Sequence, residues 1–301
     1  MGPPQHSTDR TPLAPVLAAA ASELATAGVA SPRVDAELLA AHVLGIGRGR
    51  LLLVDALRPD ELARFTELVA RRAARVPLQH LIGSAAFRYL ELAVGPGVFV
   101  PRPETELLAG WGIDAARAAG PAPVVVDLCS GTGAIALSVA NELPTARVTA
   151  VERSTAALRW LRRNAADRAA AGDQAIDVVA GDVTDPALRT GTGGLGPLAG
   201  AVDVVLCNPP YVPDCTAVPP EVAAHDPAEA VFGGADGLSV IRPVVALAAV
   251  LLRPGGVLGI EHDDLHAAAV PDLLRADGRF VDVADHDDLS GRPRYATARR
   301  V

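Results

Sequence analysis

The succession of apolar periods in this 301-residue chain predicts an α/β protein: a doubly wound, mostly parallel seven-stranded sheet behind a small N-terminal helical domain. Three observations carry the prediction. Up to Arg75 the apolar residues recur at helical spacing, as in Leu38, Leu39 and Val43, and again in Leu62, Phe65, Leu68 and Val69. After Pro123, short continuous apolar runs alternate with helical stretches, and such runs are what parallel strands covered on both faces require. Between these regions, residues 87–94 alternate one by one, the pattern of a half-buried strand. The boundaries read as a tail and helical domain over 1–76, a β-hairpin linker over 77–100 and the α/β domain over 101–301.

Residues 1–10 lack a basic-then-apolar order and read as a disordered tail, not a signal peptide. Ser31-Pro32 and Pro59-Asp60 mark helix starts, since proline fits the first helical turn. Gly95-Pro96-Gly97 is expected to turn the hairpin, with residues 98–100 resuming extended structure. Pro101-Arg102-Pro103 then leads into a helix over 104–119. The α/β pattern follows as strand 124–128, helix 133–142, strand 147–152, helix 155–170, strand 176–180, strand 202–207, helix 238–252 and strand 257–261. Residues 280–283 and 294–298 flank Ser290-Gly291 and read as an antiparallel pair closing the sheet.

Composition restricts the partners. The net charge is −8, with 35 acidic residues against 27 basic ones, all of them arginine, so the basic footprint of a nucleic-acid binder is missing. The densest basic patch, Arg64, Arg71, Arg72 and Arg75, reads as a solvated helix face. No run approaches the length of a membrane span, and three cysteines without Cys-x-x-Cys spacing fit a reducing compartment. A cytoplasmic, monomeric protein without a metal is expected.

Asn208-Pro209-Pro210-Tyr211 directly follows the apolar run 202–207. Two prolines cannot continue a strand, so the chain leaves the sheet there and presents polar groups at the strand's carboxyl end, where open α/β sheets hold ligands. Proline has a carbonyl but no N–H, so this corner is rich in acceptors, and Asn208 adds another. Such a corner suits a planar NH2 group; taken alone, the tetrapeptide also fits an ordinary Pro-rich exit loop. The first strand-to-helix turn, Asp127-Leu128-Cys129-Ser130-Gly131-Thr132-Gly133, permits close approach of a ligand to backbone at a helix amino end. The next strand ends at Glu152, whose carboxylate can accept from a ribose diol, and the one after is followed by Asp182, placed to accept from an adenine amino group. Jointly they point to a nucleoside.

Two other strings imitate sites. Gly191-Thr192-Gly193-Gly194-Leu195-Gly196 matches G-x-G-x-x-G, but no strand precedes it and no helix follows, so it reads as a flexible insert. His262-Asp263-Asp264-Leu265-His266 can be drawn as a metal cluster but reads as solvated groups at a strand end.

With these motifs, the chain resembles the class I S-adenosylmethionine-dependent methyltransferases, and within them the HemK/PrmC family, which methylates a glutamine amide in peptide chain release factors. Beyond the motifs above, Pro101-Arg102-Pro103-Glu104-Thr105-Glu106 and Asp226-Pro227 with Gly233-Gly234-Ala235-Asp236-Gly237-Leu238 carry the resemblance. It implies a Rossmann-like methyltransferase sheet, an N-terminal release-factor-binding domain, S-adenosylmethionine as cofactor with S-adenosylhomocysteine as product, and a role in translation termination. The cofactor would be held by Phe99, Asp127, Cys129, Ser130, Gly131, Thr132, Gly133, Glu152, Asp182, Val183 and Asn208. Substrate would meet Arg102, Glu104, Asn208, Pro209, Pro210 and Tyr211, the last four being the catalytic set. The sequence departs from the family at Cys129 and Ser130, at Asp226 in place of Glu, and at Asp263 and His266 in place of Gly and Gln. Cys129 and Cys207 end what should be neighbouring strands; two small buried thiols are the expectation, a disulfide the alternative.

An amide nitrogen is a poor nucleophile and Asn208 is no base, so catalysis is expected to rest on positioning and electrostatics. Asn208 Oδ1 and the Pro209 carbonyl would accept the substrate's two N–H bonds, with Tyr211 packed on the amide plane. Two rival functions share these residues: an adenine-N6 DNA or RNA methyltransferase, whose exocyclic NH2 makes the same demand, and a non-catalytic S-adenosylmethionine-binding docking protein.

Overall fold

Leu13, Leu17, Ala20 and Leu24 recur at intervals of four, three and four, the period that lines one face of a helix, and all four are buried. They open the first of two units into which the chain divides, the division falling between Gly83 and Ser84. The structure, a computed structural model, describes residues 10–189 and 194–301. Residues 1–9 of the expected tail over 1–10, and Gly191, Thr192 and Gly193 of the glycine-rich string, lie outside the described residues.

In the first unit, two-residue strands β1 (Thr11–Pro12) and β2 (Ala56–Leu57) pair antiparallel beside helices α1 (Leu13–Thr26), α2 (Pro32–Leu44), α3 (Pro59–Ala73) and α4 (Leu78–Ile82). α2 and α3 begin at the prolines that the sequence marks, and Gly45 ends α2 at φ 65°, a left-handed cap that glycine adopts without strain. Leu24, Leu39, Leu57, Phe65 and Leu81 meet in one core. Arg72 corrects the reading of the basic patch. It lies seven residues past Phe65 and three past Val69, on the buried face of α3, where its Nε donates to Asp35 Oδ2 at 2.8 Å. A buried guanidinium needs such a partner, and Arg75 likewise donates to the backbone carbonyl of Ala27. Arg64 and Arg71 are exposed, as expected.

The second unit opens with a hairpin, β3 (Ser84–Phe87) and β4 (Leu90–Ala93). Its turn is at Arg88-Tyr89, not at Gly95-Pro96-Gly97. Arg88 takes φ 50° while its guanidinium grips both Glu142 oxygens, at 2.6 and 2.9 Å, a contact that local turn chemistry does not reveal. Among the described residues, 98–100 pair with no strand.

Thereafter α5 (Thr105–Ala119), β5 (Val124–Leu128), α6 (Ala134–Glu142), β6 (Arg147–Glu152), α7 (Thr155–Ala170), β7 (Asp177–Ala180) and α8 (Pro186–Arg189) alternate. They are followed by β8 (Val202–Cys207), α9 (Pro220–His225), α10 (Ala228–Val231), α11 (Ile241–Leu251), β9 (Leu252–Glu261), α12 (Ala269–Asp277), β10 (Phe280–Asp287) and β11 (Pro293–Arg300). The seven-stranded sheet has the order β10-β11-β9-β8-β5-β6-β7. β5 to β9 pair parallel and β11 pairs antiparallel with both β9 and β10, so the doubly wound expectation holds. Leu108, Ile113, Ile135 and Leu161 cover one face, Val244, Leu247, Leu251 and Leu274 the other.

From β5 the chain winds outward through β6 and β7, then returns to place β8 on the other side of β5. That reversal opens a crevice at the carboxyl ends of β5 and β8, where Leu128 lies in register with Cys207. The glycine turn and the Asn208 corner therefore emerge side by side. Among the described residues, no helix is long and apolar enough to cross a membrane.

Candidate active site

A cavity of about 410 Å³ occupies this crevice. It brings together Phe99, Arg102, Asp127, Cys129, Ser130, Gly131, Thr132, Glu152, Asp182, Val183, Asn208, Pro209, Pro210 and Tyr211. Two of the residues named from sequence are not in its lining. Glu104 is exposed at the head of α5, and Gly133 does not line it because it is pressed against the hydrophobic layer: at φ 87°, a Cβ there would sit 2.6 Å from Leu161 Cδ1. Gly131, at φ 56°, has open space where a Cβ would be, so it is the glycine that lets a ligand come close.

Glu152 braces the glycine turn. One carboxylate oxygen accepts from the Gly131 N–H at 2.9 Å and the other from the Ser154 N–H at 2.7 Å. Asp127 is buried, and its Oδ2 accepts from the Ala136 N–H at 3.2 Å while Oδ1 has no donor among the described residues. Burial pushes the Asp127 carboxyl up to about 7, opposed by the nearby Ser130 hydroxyl, which donates to the Asp127 backbone carbonyl, and by the Ala136 N–H. A carboxyl whose pKa rises on folding favours the fold while protonated. That contribution is complete below the ordinary carboxylate range near pH 4 and is lost as pH climbs through about 7. Asp127→Asn should therefore flatten the fall in melting temperature between about pH 4 and pH 7, a span worth up to about 4 kcal/mol for one such group. Differential scanning calorimetry across that range checks it; a slope equal to wild type would reject it.

At the next strand end, Asp182 Oδ1 accepts from the Thr184 N–H and hydroxyl at 2.8 and 2.7 Å, and Oδ2 pairs with Arg153 at 3.2 Å. Burial raises this carboxyl, but the Thr184 and Arg153 contacts outweigh it and hold the group below its ordinary value. Asp182 is thus an ionised acceptor at the crevice mouth. Cys129 adopts φ 60° beside Cys207, and both thiols are free.

The Asn208 corner is set differently. Asn208 Nδ2 donates to Thr105 Oγ1 at 3.0 Å, which leaves Oδ1 without a donor among the described residues. The Pro209 carbonyl has none either. Tyr211 lines the cavity, but its hydroxyl donates to Glu261 Oε1 at 3.0 Å and its ring packs against the core. Glu261 is 2% exposed, and burial pushes its carboxyl up to about 7 against hydrogen bonds from Thr105 and Tyr211. Thr105 lines the cavity within the segment expected there and Glu261 stands behind it, and the motif reading gave neither residue a role of its own. The signal was present: Glu261 ends a parallel strand, as Glu152 does, and Thr105 sits inside the Pro-Arg-Pro-Glu-Thr-Glu string.

Two further segments build the walls. Arg102 lies over the Phe99 ring, 4.7 Å from its centroid, and donates to Asp226 Oδ2 at 2.6 Å, tying the 101–106 segment to the segment that follows α9. Gly233 and Gly237 press against the backbone of the corner: a Cβ on Gly233 would sit 2.6 Å from the Pro210 carbonyl oxygen, and one on Gly237 2.6 Å from His266 Cε1 and against the Tyr211 carbonyl. His266 Nε2 meets the Asp236 carbonyl at 2.9 Å, and Asp263 caps the short turn before it through the Leu265 N–H at 3.0 Å, so both departures have local structural partners. Among the described residues, no group of three or more His, Cys, Asp or Glu is disposed to hold a metal. Gly237→Ala meets backbone atoms at a φ of 73° and should lower turnover at least ~10-fold by displacing the corner, as misplacement of about 1 Å does. Steady-state kinetics with an unchanged cofactor dissociation constant would confirm it, and wild-type turnover would refute it.

The geometry agrees with what sequence relatives show. A release factor glutamine methyltransferase from Mycolicibacterium smegmatis is 54% identical over 291 residues, covering 97% of this chain and 99% of its own length. The chain belongs to the release factor glutamine methyltransferase family. A second member of that family, from Streptomyces coelicolor, is 50% identical over 288 residues, covering 95% of this chain and 97% of its own. The PrmC N-terminal domain matches residues 16–83, and the methyltransferase small domain matches residues 115–224, the span that holds the glycine turn and the Asn208 corner. A solved structure of a release-factor-specific protein-(glutamine-N5) methyltransferase from Alicyclobacillus acidocaldarius is 25% identical, covering 69% of this chain and 98% of its own at a TM-score of 0.41. Membership in the release factor glutamine methyltransferase family rests on the sequence relatives.

Proposed function

We propose that this protein transfers a methyl group from S-adenosylmethionine to the side-chain amide nitrogen of the glutamine in the Gly-Gly-Gln loop of peptide chain release factors, as a monomeric cytoplasmic enzyme that tunes translation termination. The observation that carries the reading is the Asn208 amide, held by Thr105 with its oxygen unclaimed, beside a proline carbonyl that also lacks a donor. A primary amide offers two N–H donors in one plane, and two acceptors at this corner match them.

The crevice fits the cofactor. Gly131 leaves room at a helix amino end, Glu152 is placed for a ribose diol, and Asp182 for an exocyclic amino group. S-adenosylmethionine, when bound, supplies an electrophilic methyl on a sulfonium. The chain's own groups then hold and aim the amide. Asn208 Oδ1 and the Pro209 carbonyl accept its hydrogens and restrict the nitrogen to one direction of approach, which replaces a bimolecular encounter by a positioned one. Phe99 and Arg102, the latter held by Asp226, wall the same cavity and limit water. Tyr211 supports the corner from below through Glu261 and does not need its phenol for proton transfer, since burial raises that phenol well above its ordinary value.

Incubation with isotopically labelled cofactor and either release factor or duplex DNA tests the reading, with mass spectrometry of the Gly-Gly-Gln peptide. One added methyl on the glutamine is expected. Label in DNA would favour the adenine reading, and absence of the homocysteine product with either would favour a docking protein.

A further inference from the structure

Thr105 and Glu261 stand directly behind the residue on which amide recognition depends. Asn208 Nδ2 donates to Thr105 Oγ1, and the Tyr211 hydroxyl donates to Glu261 Oε1, each at 3.0 Å. Both residues are buried, Thr105 at 3% and Glu261 at 2% exposure. Glu261 Oε2 has no donor on it among the described residues, and the Thr105 hydroxyl lies beside that carboxylate.

We propose that Thr105 and Glu261 are positioning residues that set which end of the Asn208 amide faces the substrate. The proposal rests on the amide-methylation reading and deepens it. An Asn side chain carries an acceptor at one end and two donors at the other, and rotation by half a turn about its last bond exchanges them. Thr105 alone does not choose, because a hydroxyl both donates and accepts. An ionised carboxylate only accepts. With Glu261 ionised, the Thr105 hydrogen goes to Glu261, the Thr105 oxygen accepts from Asn208 Nδ2, and Oδ1 is left for the substrate. With Glu261 protonated, it donates to Thr105, the Thr105 hydrogen is released toward Asn208, and the amide turns its NH2 toward the substrate's NH2, donor against donor.

The surroundings place this exchange within working pH. Burial pushes the Glu261 carboxyl up to about 7, while Thr105, Tyr211 and Arg294 on β11 favour its ionised form and Glu104 at the head of α5 opposes it. Cys207, at the end of β8, is a neutral thiol whose own pKa burial raises. Oδ1 is therefore presented above about pH 7 and withdrawn below it.

The wild-type kcat on release factor should fall about tenfold per unit below roughly pH 7, with the cofactor KM steady. Glu261→Gln should lose that acid limb and lower kcat at about pH 8 by at least ~10-fold, while the cofactor KM stays within about threefold. Thr105→Val should cost at least ~30-fold in kcat, and Thr105→Ser should recover about a third or more of the loss. A second readout needs no substrate: the Asn208 side-chain 15N resonance should titrate with a midpoint near 7 in wild type and stay still in Glu261→Gln. Wild type without turnover would overturn the proposed function, and the resonance would still decide this inference. A static Asn208 signal in wild type, or an acid limb retained in Glu261→Gln, would overturn it.

Discussion

Asn208→Ala removes detectable methyl transfer, a loss on the order of 10³-fold in kcat, while the cofactor dissociation constant stays within several-fold. The asymmetry follows from where the side chain sits. Its oxygen is the unclaimed acceptor at the corner, and its nitrogen is the anchor to Thr105. Alanine removes both, so the substrate amide keeps one acceptor, the Pro209 carbonyl, and gains rotational freedom about it. The transferred methyl requires the nitrogen in line, and that orientation is what the enzyme contributes to a nucleophile it does not activate chemically. Glu152, Asp182 and the glycine turn belong to β5, β6 and β7 exits and are untouched. Single-turnover kinetics with isothermal titration of the cofactor separates the two quantities. Equal loss of both would mean that Asn208 serves cofactor binding, and the assigned role would be wrong.

Glu152→Ala weakens cofactor binding at least ~100-fold, close to 3 kcal/mol. One carboxylate holds the Gly131 N–H and the Ser154 N–H, so it shapes the turn under the cofactor and the start of α7 together. Each is a bond to a carboxylate that is 8% exposed, and losing such a bond leaves a part-buried donor without its partner at about 1.5–3 kcal/mol. The ribose contact expected of the same carboxylate disappears as well. Glu152→Gln keeps the volume and one acceptor, and it should fall between wild type and alanine. Cofactor titration beside a melting curve is the measurement. A lowered melting temperature with an unchanged dissociation constant would show a purely structural brace.

How much of this was legible differs from element to element. Val124–Leu128, Arg147–Glu152 and Val202–Cys207 have the bounds that their apolar runs mark, because a strand covered on both faces is apolar along most of its length and its composition reports its environment. Helix starts at Pro32 and Pro59 were equally plain, since the signal is local chemistry. The hairpin turn was misplaced because glycine and proline at 95–97 satisfy turn rules, whereas the actual turn at Arg88-Tyr89 accompanies an ion pair with Glu142, 54 residues on. Arg72 misled for the same reason: its partner Asp35 belongs to another helix.

The sequence by itself determined the class of fold, the strand ends at which polar groups emerge, and the acceptor-rich character of the Asn208 corner. All of these follow from residue type and spacing over a few neighbours. The tertiary structure decided which acceptors are left open, through a hydrogen bond between Asn208 and Thr105, 103 residues apart, and through the buried carboxylate of Glu261 behind them. A hydrogen bond's direction depends on what its partner donates or accepts, and that partner is chosen by the packing of distant elements.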